Sequence, residues 1–211
     1  MPDGTNLNKE ETVRALYADE QDRLWVGTTR YGILLLNKDQ KTIAHFGRKK
    51  GTTDSLPSTW TNAFCVDATA NLWVATMRGI CKINTNSLQV TNFESHPLLK
   101  ELNGLYTNTV WIDSKQQLWI GASRGAWCYN EQKQTLKRYT DKDGLSHNRV
   151  FSFNEDNKGN IYIGTVAGLT VLAPNETTTI YNRSKGLRND KCEGILKDEN
   201  GFLWIGNLNC L

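Results

Sequence analysis

The 211 residues predict an all-β protein, a β-propeller built of four-stranded antiparallel blades. The first observation behind this is a repeat. Asp19 to Leu24-Trp25-Val26-Gly27-Thr28 returns as Asp67 to Leu72-Trp73-Val74-Ala75-Thr76 and as Asp113 to Leu118-Trp119-Ile120-Gly121-Ala122. It returns again as Asp156 to Ile161-Tyr162-Ile163-Gly164-Thr165 and Asp198 to Leu203-Trp204-Ile205-Gly206-Asn207. The Asp always stands six residues before the aromatic, and the period falls from 48 to 42 residues. Self-similarity at roughly 40–50 residues marks an array of one supersecondary unit. The second observation is that each unit holds four short strand patterns separated by turn residues, with apolar side chains on both faces of the second.

The elements follow in order within the unit. Strand A carries a bulky residue three before the Asp (Leu16, Phe64, Val110, Phe153, Ile195) and a small one four before it (Ala15, Ala63, Thr109, Ser152, Gly194). The small column suits an innermost strand where blades converge. Asp opens the A–B turn, because Asx side chains bond their own backbone two residues on. Strand B holds the aromatic. Gly32, Gly79, Gly125 and Gly168 mark the B–C turn before strand C, and strand D ends in Phe46, Phe93, Tyr139 or Tyr181. Linkers with Leu56-Pro57, Gly104-Leu105, Gly144-Leu145 and Gly186-Leu187 lead on. The blades are expected at 12–47, 59–94, 105–140, 148–182 and 190–211, one partial domain over 1–211.

The aromatic is the expected anchor. A buried Trp covers about 150–250 Å², on the order of 4–6 kcal/mol as an upper bound at about 25 cal/mol per Å². Trp25, Trp73, Trp119, Tyr162 and Trp204 are therefore read as the structural core of the repeat. The first residues (Gly4-Thr5-Asn6-Leu7) read as a linker, and Gly206-Asn207-Leu208-Asn209-Cys210-Leu211 stops before a fifth strand C. About four and a half blades are thus expected, an incomplete ring from a larger, seven-bladed propeller, with self-association through open blade edges.

Composition narrows the function classes. The net charge is +3, and the longest basic run is Arg48-Lys49-Lys50, so nucleic acid is not an expected partner. There is no apolar run of about 18 residues to span a bilayer, and the polar N-terminus does not read as a signal peptide. Cys65, Cys81, Cys128, Cys192 and Cys210 show no CxxC spacing and read as small buried hydrophobes. His45, His96 and His147 occupy different phases of the repeat. The Asp column reads as turn formers rather than as glycosidase carboxylates. Asp156-Asn157-Lys158-Gly159-Asn160 lacks the downstream Glu of a calcium loop. No catalytic residue, metal site or cofactor is expected.

With Asp-x-x-Gly/Asn-x-Leu-Trp-Ile/Val-Gly-Thr, then Gly-Leu/Ile, the strand D aromatic and Gly-Leu-x-x-Asn, the units resemble the two-component regulator propeller repeat over essentially the whole chain. Ala75, Tyr162, Ala122 and Asn207 depart from the pattern. The resemblance implies a periplasmic sensor region of a bacterial histidine kinase, often a hybrid kinase of gut Bacteroidetes. Such regions typically pair two seven-bladed propellers with an immunoglobulin-like segment, a membrane helix and a cytoplasmic kinase, and many respond to glycan-derived oligosaccharides. It implies as partners an oligosaccharide, the remaining blades and an adjacent propeller.

Alternating strands put the D–A linkers and B–C turns on one face, and long loops on a rigid frame are where recognition concentrates. At the mouth of strand A stand Trp60, Tyr106 and Arg149, with Asn62 and Asn108 close by; Arg30, Arg78 and Arg124 recur in the B–C turn. Aromatics for sugar faces with Asn and Arg for hydroxyls and carboxylates suit a glycan, and the Arg column favours an acidic one. The plainer reading is that the aromatics fill gaps and the Arg side chains pair with linker carboxylates or cover rings. A non-catalytic sensor is the first expectation. A protein-interaction scaffold and a propeller lyase or glycosidase are the alternatives.

Overall fold

One carboxylate builds each A–B turn. The computed structural model describes residues 11–49 and 54–207; the expected linker at 4–7, Lys50 and Cys210 lie outside them. Oδ1 of each repeat Asp accepts the backbone N–H groups two and four residues on. Asp113, for example, takes Lys115 at 2.9 Å and Gln117 at 2.8 Å. Asp19, Asp67, Asp156 and Asp198 do the same. Oδ2 accepts the indole N–H of the strand B aromatic: Trp25 and Trp73 at 2.8 Å, Trp119 and Trp204 at 2.9 Å. In the fourth copy the Tyr162 hydroxyl donates to Asp156 at 3.3 Å. The six-residue spacing therefore lets one carboxylate fold the turn and hold the ring at once.

The turn requires a left-handed residue three after the Asp. Gly159 (φ 78°) and Gly201 (φ 85°) supply it, while Asp22, Ala70 and Gln116 adopt it at φ 57–59°.

Four complete antiparallel sheets result. They are β1 (Val13–Ala18), β2 (Leu24–Thr28), β3 (Ile33–Leu36) and β4 (Thr42–Phe46), then β5 (Thr61–Val66), β6 (Asn71–Thr76), β7 (Gly79–Asn84) and β8 (Val90–Asn92). Next come β9 (Thr107–Ile112), β10 (Leu118–Ala122), β11 (Gly125–Asn130) and β12 (Thr135–Tyr139), then β13 (Val150–Glu155), β14 (Ile161–Thr165), β15 (Gly168–Leu172) and β16 (Thr178–Tyr181). A two-stranded sheet of β17 (Cys192–Lys197) and β18 (Leu203–Asn207) follows. These are the four-stranded blades of a β-propeller. Two compact units divide between Thr107 and Asn108.

Threonine closes the B–C turn. Thr28, Thr76 and Thr165 each donate a hydroxyl to the carbonyl of Gly32, Gly79 or Gly168 and accept a turn N–H in return. The linkers hold short 3-10 turns at Leu99–Leu102, Asp141–Asp143 and Arg183–Lys185. The Gly-Leu signature belongs to the last two: Gly144 and Gly186 cap them at φ 94° and 98°, and Leu145 is buried behind its turn.

The two small columns are cross-strand partners. Ala15 opposes Gly27, Ala63 opposes Ala75, Ser152 opposes Gly164 and Gly194 opposes Gly206. Over the Gly packs the bulky residue of the following strand A. A Cβ on Gly27 would stand 2.8 Å from Phe64, and one on Gly121 would stand 2.8 Å from Val150 and 3.1 Å from Phe153. The motif Gly is thus the seat of the next blade.

In the first unit Trp25, Ile33, Leu35, Leu72, Val74 and Ile83 form one core; in the second, Trp119, Tyr139, Val150, Phe153 and Ile163 do. The strand D aromatics stack on the anchors at ring distances of 5.5 Å (Trp25–Phe46), 5.4 Å (Trp73–Phe93) and 5.7 Å (Trp119–Tyr139). Phe93 stands one residue past β8. Trp25, Trp73 and Trp119 are at most 3% exposed. Trp204 corrects the sequence expectation. It is 63% exposed, because among the described residues β18 is paired only with β17 and no strand D aromatic covers the ring.

Candidate functional site

The candidate binding residues divide according to what the backbone does beneath them. The strand A register skips one residue between Val13 and Ala15, Thr61 and Ala63, Val150 and Ser152, and Cys192 and Gly194. The bulged residues are Arg14, Asn62, Phe151 and Glu193, and a bulge re-aims its side chain out of the ladder alternation. Asn62 uses this to bond along the fold. Its amide donates to the Thr107 carbonyl at 2.7 Å, its oxygen accepts the Trp60 indole N–H at 3.0 Å, and it is 6% exposed. Asn108 donates likewise to the Val150 carbonyl at 2.8 Å. Both asparagines therefore fasten successive A strands.

Trp60 and Tyr106 are half-buried, and the Trp60 carbonyl accepts the Met77 N–H at 3.0 Å, tying the mouth of β5 to the B–C turn. Arg149 is exposed and lies over the Phe151 ring at 5.3 Å. Lys191 lies 5.3 Å from the same ring and is ion-paired to Glu193.

The arginines of the B–C turn take three different roles. The backbone N–H of Arg30 donates to Glu11 Oε1 at 2.9 Å, as do the Thr29 N–H and hydroxyl. The Arg124 carbonyl accepts Arg138, whose guanidinium covers the Trp127 ring at 4.9 Å. Arg78 is exposed and lines a cavity of about 410 Å³ with Arg48, Pro57, Glu94, Asn103 and Gly104. Local bonds shape that cavity: the Gly104 N–H donates to the Arg78 carbonyl at 3.1 Å, and the Asn103 amide donates to the Glu94 carbonyl at 3.2 Å. Arg48, Glu94 and Asn103 carry no repeat signature. They sit in linkers of unequal length, so spacing alone does not bring them to Arg78.

The titratable groups of the repeat serve structure. Burial alone would raise the carboxyls of Asp19, Asp67 and Asp156, but hydrogen bonds from the turn and the aromatic outweigh it and hold them below the ordinary carboxylate value. For Asp198 the Trp204 indole is the main lowering partner. Burial pushes the thiols of Cys65 and Cys81 up, that of Cys128 up to about 12 and that of Cys192 up to about 11. Thiols held so high are poor nucleophiles at neutral pH. No group of three or more His, Cys, Asp or Glu side chains is placed to hold a metal among the described residues. No helix there is long and apolar enough to cross a membrane.

Comparison with known proteins adds a family-model match over two segments, and the fold. The two-component regulator propeller model matches residues 7–30 and 144–167. No curated protein matches the chain in sequence. Among solved structures, the extracellular domain of BT3049 from B. thetaiotaomicron, named as a hybrid two component system, is 20% identical with a TM-score of 0.79. The match covers 98% of this chain and 28% of that one. The extracellular domain of BT4673 from the same organism is 23% identical with a TM-score of 0.74, over 92% of this chain and 26% of that one. The chain thus spans about a quarter of the length of these domains. A virginiamycin B lyase from Staphylococcus aureus is 10% identical with a TM-score of 0.56, over 94% of this chain and 78% of that one. Residues 7–30 and 144–167 match the two-component regulator propeller repeat, and the chain is a β-propeller sharing its fold with extracellular domains of two component systems.

Proposed function

We propose that the chain is an extracytoplasmic, periplasmic ligand-sensing part of a two-component histidine kinase, and that its ligand is a carboxylated oligosaccharide released from a glycan. The cavity around Arg78 carries this reading. Its volume lies within the roughly 300–1,000 Å³ usual for small-molecule sites. It offers two guanidinium groups, Arg48 and Arg78, with Glu94 and Asn103 for hydroxyls. Paired arginines favour a carboxylate through charge-assisted, bidentate bonds. In the first unit Trp60, Tyr106 and Arg30 are proposed as secondary rim contacts, with Asn62 holding the strand mouth in shape; in the second unit, taken by itself, Arg124 and Arg149 are proposed as rim contacts, with Asn108 in the same supporting role. The matched repeats and the fold shared with extracellular domains of two component systems support the sensing role.

In this reading the blades at 12–47, 59–94, 105–140, 148–182 and 190–211 belong to one larger propeller. Binding shifts the population of arrangements of this propeller against its neighbours, and that shift is carried to the membrane. The isolated chain is expected to self-associate through unpaired blade edges.

Calorimetric titration with neutral and uronate-containing oligosaccharides tests the proposal. Acidic sugars should bind, and Arg78→Ala should weaken them by about 10- to 100-fold, the loss of one charge-assisted bond. Equal binding of neutral sugars, or none of either, would remove the carboxylate reading. Chain cleavage of the sugar during the titration would favour a propeller lyase or glycosidase instead.

A further inference from the structure

The turn between β2 and β3 is one residue longer than its counterparts. From the end of strand B to the Gly it runs Thr28-Thr29-Arg30-Tyr31-Gly32, against Thr76-Met77-Arg78-Gly79, Ala122-Ser123-Arg124-Gly125 and Thr165-Val166-Ala167-Gly168. After β6 and β14 the two central N–H groups are used within the blade. Met77 and Val166 donate to the Trp60 and Arg149 carbonyls at 3.0 and 3.1 Å, and Arg78 and Ala167 donate to the Thr76 and Thr165 hydroxyl oxygens at 3.1 Å. The longer turn makes the same two bonds, from Thr29 to the Thr12 carbonyl at 3.2 Å and from Tyr31 to the Thr28 hydroxyl at 3.0 Å. The inserted residue therefore leaves one N–H over, that of Arg30.

A carboxylate takes it. Glu11 Oε1 accepts the Arg30 N–H at 2.9 Å, the Thr29 N–H at 2.7 Å and the Thr29 hydroxyl at 3.1 Å. Successive backbone N–H groups converging in a turn make an anion-binding concavity, and bonds to an ionised acceptor are the stronger kind. The occupant fits on one side only. Glu11 Oε2 is buried and has no hydrogen-bond partner, so its desolvation is uncompensated. Thr59, Leu105, Asn148 and Asp190 stand at the position of Glu11 in the other copies, so the Glu occurs only where the turn is long.

We propose that the β2–β3 turn is a carboxylate-binding site and that Glu11 is its internal occupant, displaced by the carboxylate of an acidic ligand. The ligand class follows from what already sits there. A tethered carboxylate competes at an effective concentration on the order of millimolar. A ligand offering one carboxylate and nothing else is therefore kept out, and one that makes further contacts displaces Glu11. The contact acts as a latch on the turn. The site does not depend on what the cavity at Arg78 binds.

The test titrates the ¹⁵N-labelled chain and its Glu11→Ala variant with glucuronate, and with glucose as the neutral control. In Glu11→Ala the backbone signals of Thr29 and Arg30 should move with glucuronate and stay in place with glucose. The unaltered chain should need at least about 10-fold more glucuronate for the same movement, because Glu11 competes. Glu11→Gln keeps the packing and removes only the charge, so it carries the test if the Ala variant unfolds; it should need several-fold less glucuronate than the unaltered chain. Adding Arg78→Ala to either variant should leave the turn signals moving as before, which separates this site from the cavity. Turn signals that stay in place in both variants, or that move equally with glucose, would overturn the proposal. So would equal titration of the variants and the unaltered chain, which would remove Glu11 as a competitor. So would loss of the movement on adding Arg78→Ala, which would make the turn a part of the cavity site.

Discussion

Asp113 is 4% exposed, and its carboxylate accepts two turn N–H groups and the indole N–H of Trp119, which is itself 3% exposed. Removing such an acceptor strands a buried donor as well as losing its bonds. Asp113→Ala should therefore cost about 3 kcal/mol in chemical denaturation, and Asp113→Asn less, since one oxygen remains. The same geometry fixes a pH dependence. Asp19, Asp67 and Asp156 have carboxyls held below their ordinary value in the folded chain. The stability they contribute is complete above the unfolded value, about 4, and is lost as the pH falls through the lowered folded values. Melting midpoints recorded downward from pH 5 should be level at first and then drop below about pH 4; a midpoint that rises there would contradict the assignment.

At the level of the blade, the decisive contact is between a motif Gly and the bulky residue of the next strand A. A methyl on Gly121 would stand 2.7 Å from Thr109, 2.8 Å from Val150 and 3.1 Å from Phe153, whereas on Gly206 its nearest atom is the Gly194 carbonyl oxygen at 3.6 Å. Gly121→Ala should cost about 1–3 kcal/mol through overpacking, and Gly206→Ala, at the same motif position, should be close to neutral. Thermal melts of the two variants decide this. Equal losses would mean that the Gly serves the strand rather than the neighbouring blade. Much of this was legible in the sequence. The Asp-to-Trp interval, the small columns and the Gly after the Trp recur because a backbone bond, a cross-strand pair or a seated ring requires them at every turn. The second use of the Asp, as indole acceptor, was encoded in the fixed spacing of six and escapes a reading that treats the residue only as a turn former.

Across the molecule the repeat also explains where legibility stops. Trp204 matches its copies in sequence and in its bond to Asp198, yet it is exposed, because burial depends on a covering strand and not on the motif. The candidate site shows the same limit. Asn62 and Asn108 look like rim ligands by position, but the bulge beneath Asn62 turns it inward and both bond backbone carbonyls. Arg78 was visible as a repeat position, while Arg48, Glu94 and Asn103 meet it through linkers that have no period. Composition and spacing describe what recurs; the proposed binding cavity is built from what does not.

The proposed function implies a division of labour: the anchored indoles hold the blades, and the linker and B–C turn face is where the sugar is proposed to bind. A ¹H–¹⁵N NMR titration of the labelled chain with a uronate oligosaccharide tests it most directly. The account predicts that backbone signals of Arg78, Asn103 and Gly104 and the side-chain signals of Arg48 and Arg78 move with added sugar, while the indole N–H signals of Trp25, Trp73 and Trp119 stay in place and resist exchange with solvent. Indole signals that shift with the sugar or exchange freely, with Arg78 and its neighbours unmoved, would contradict it.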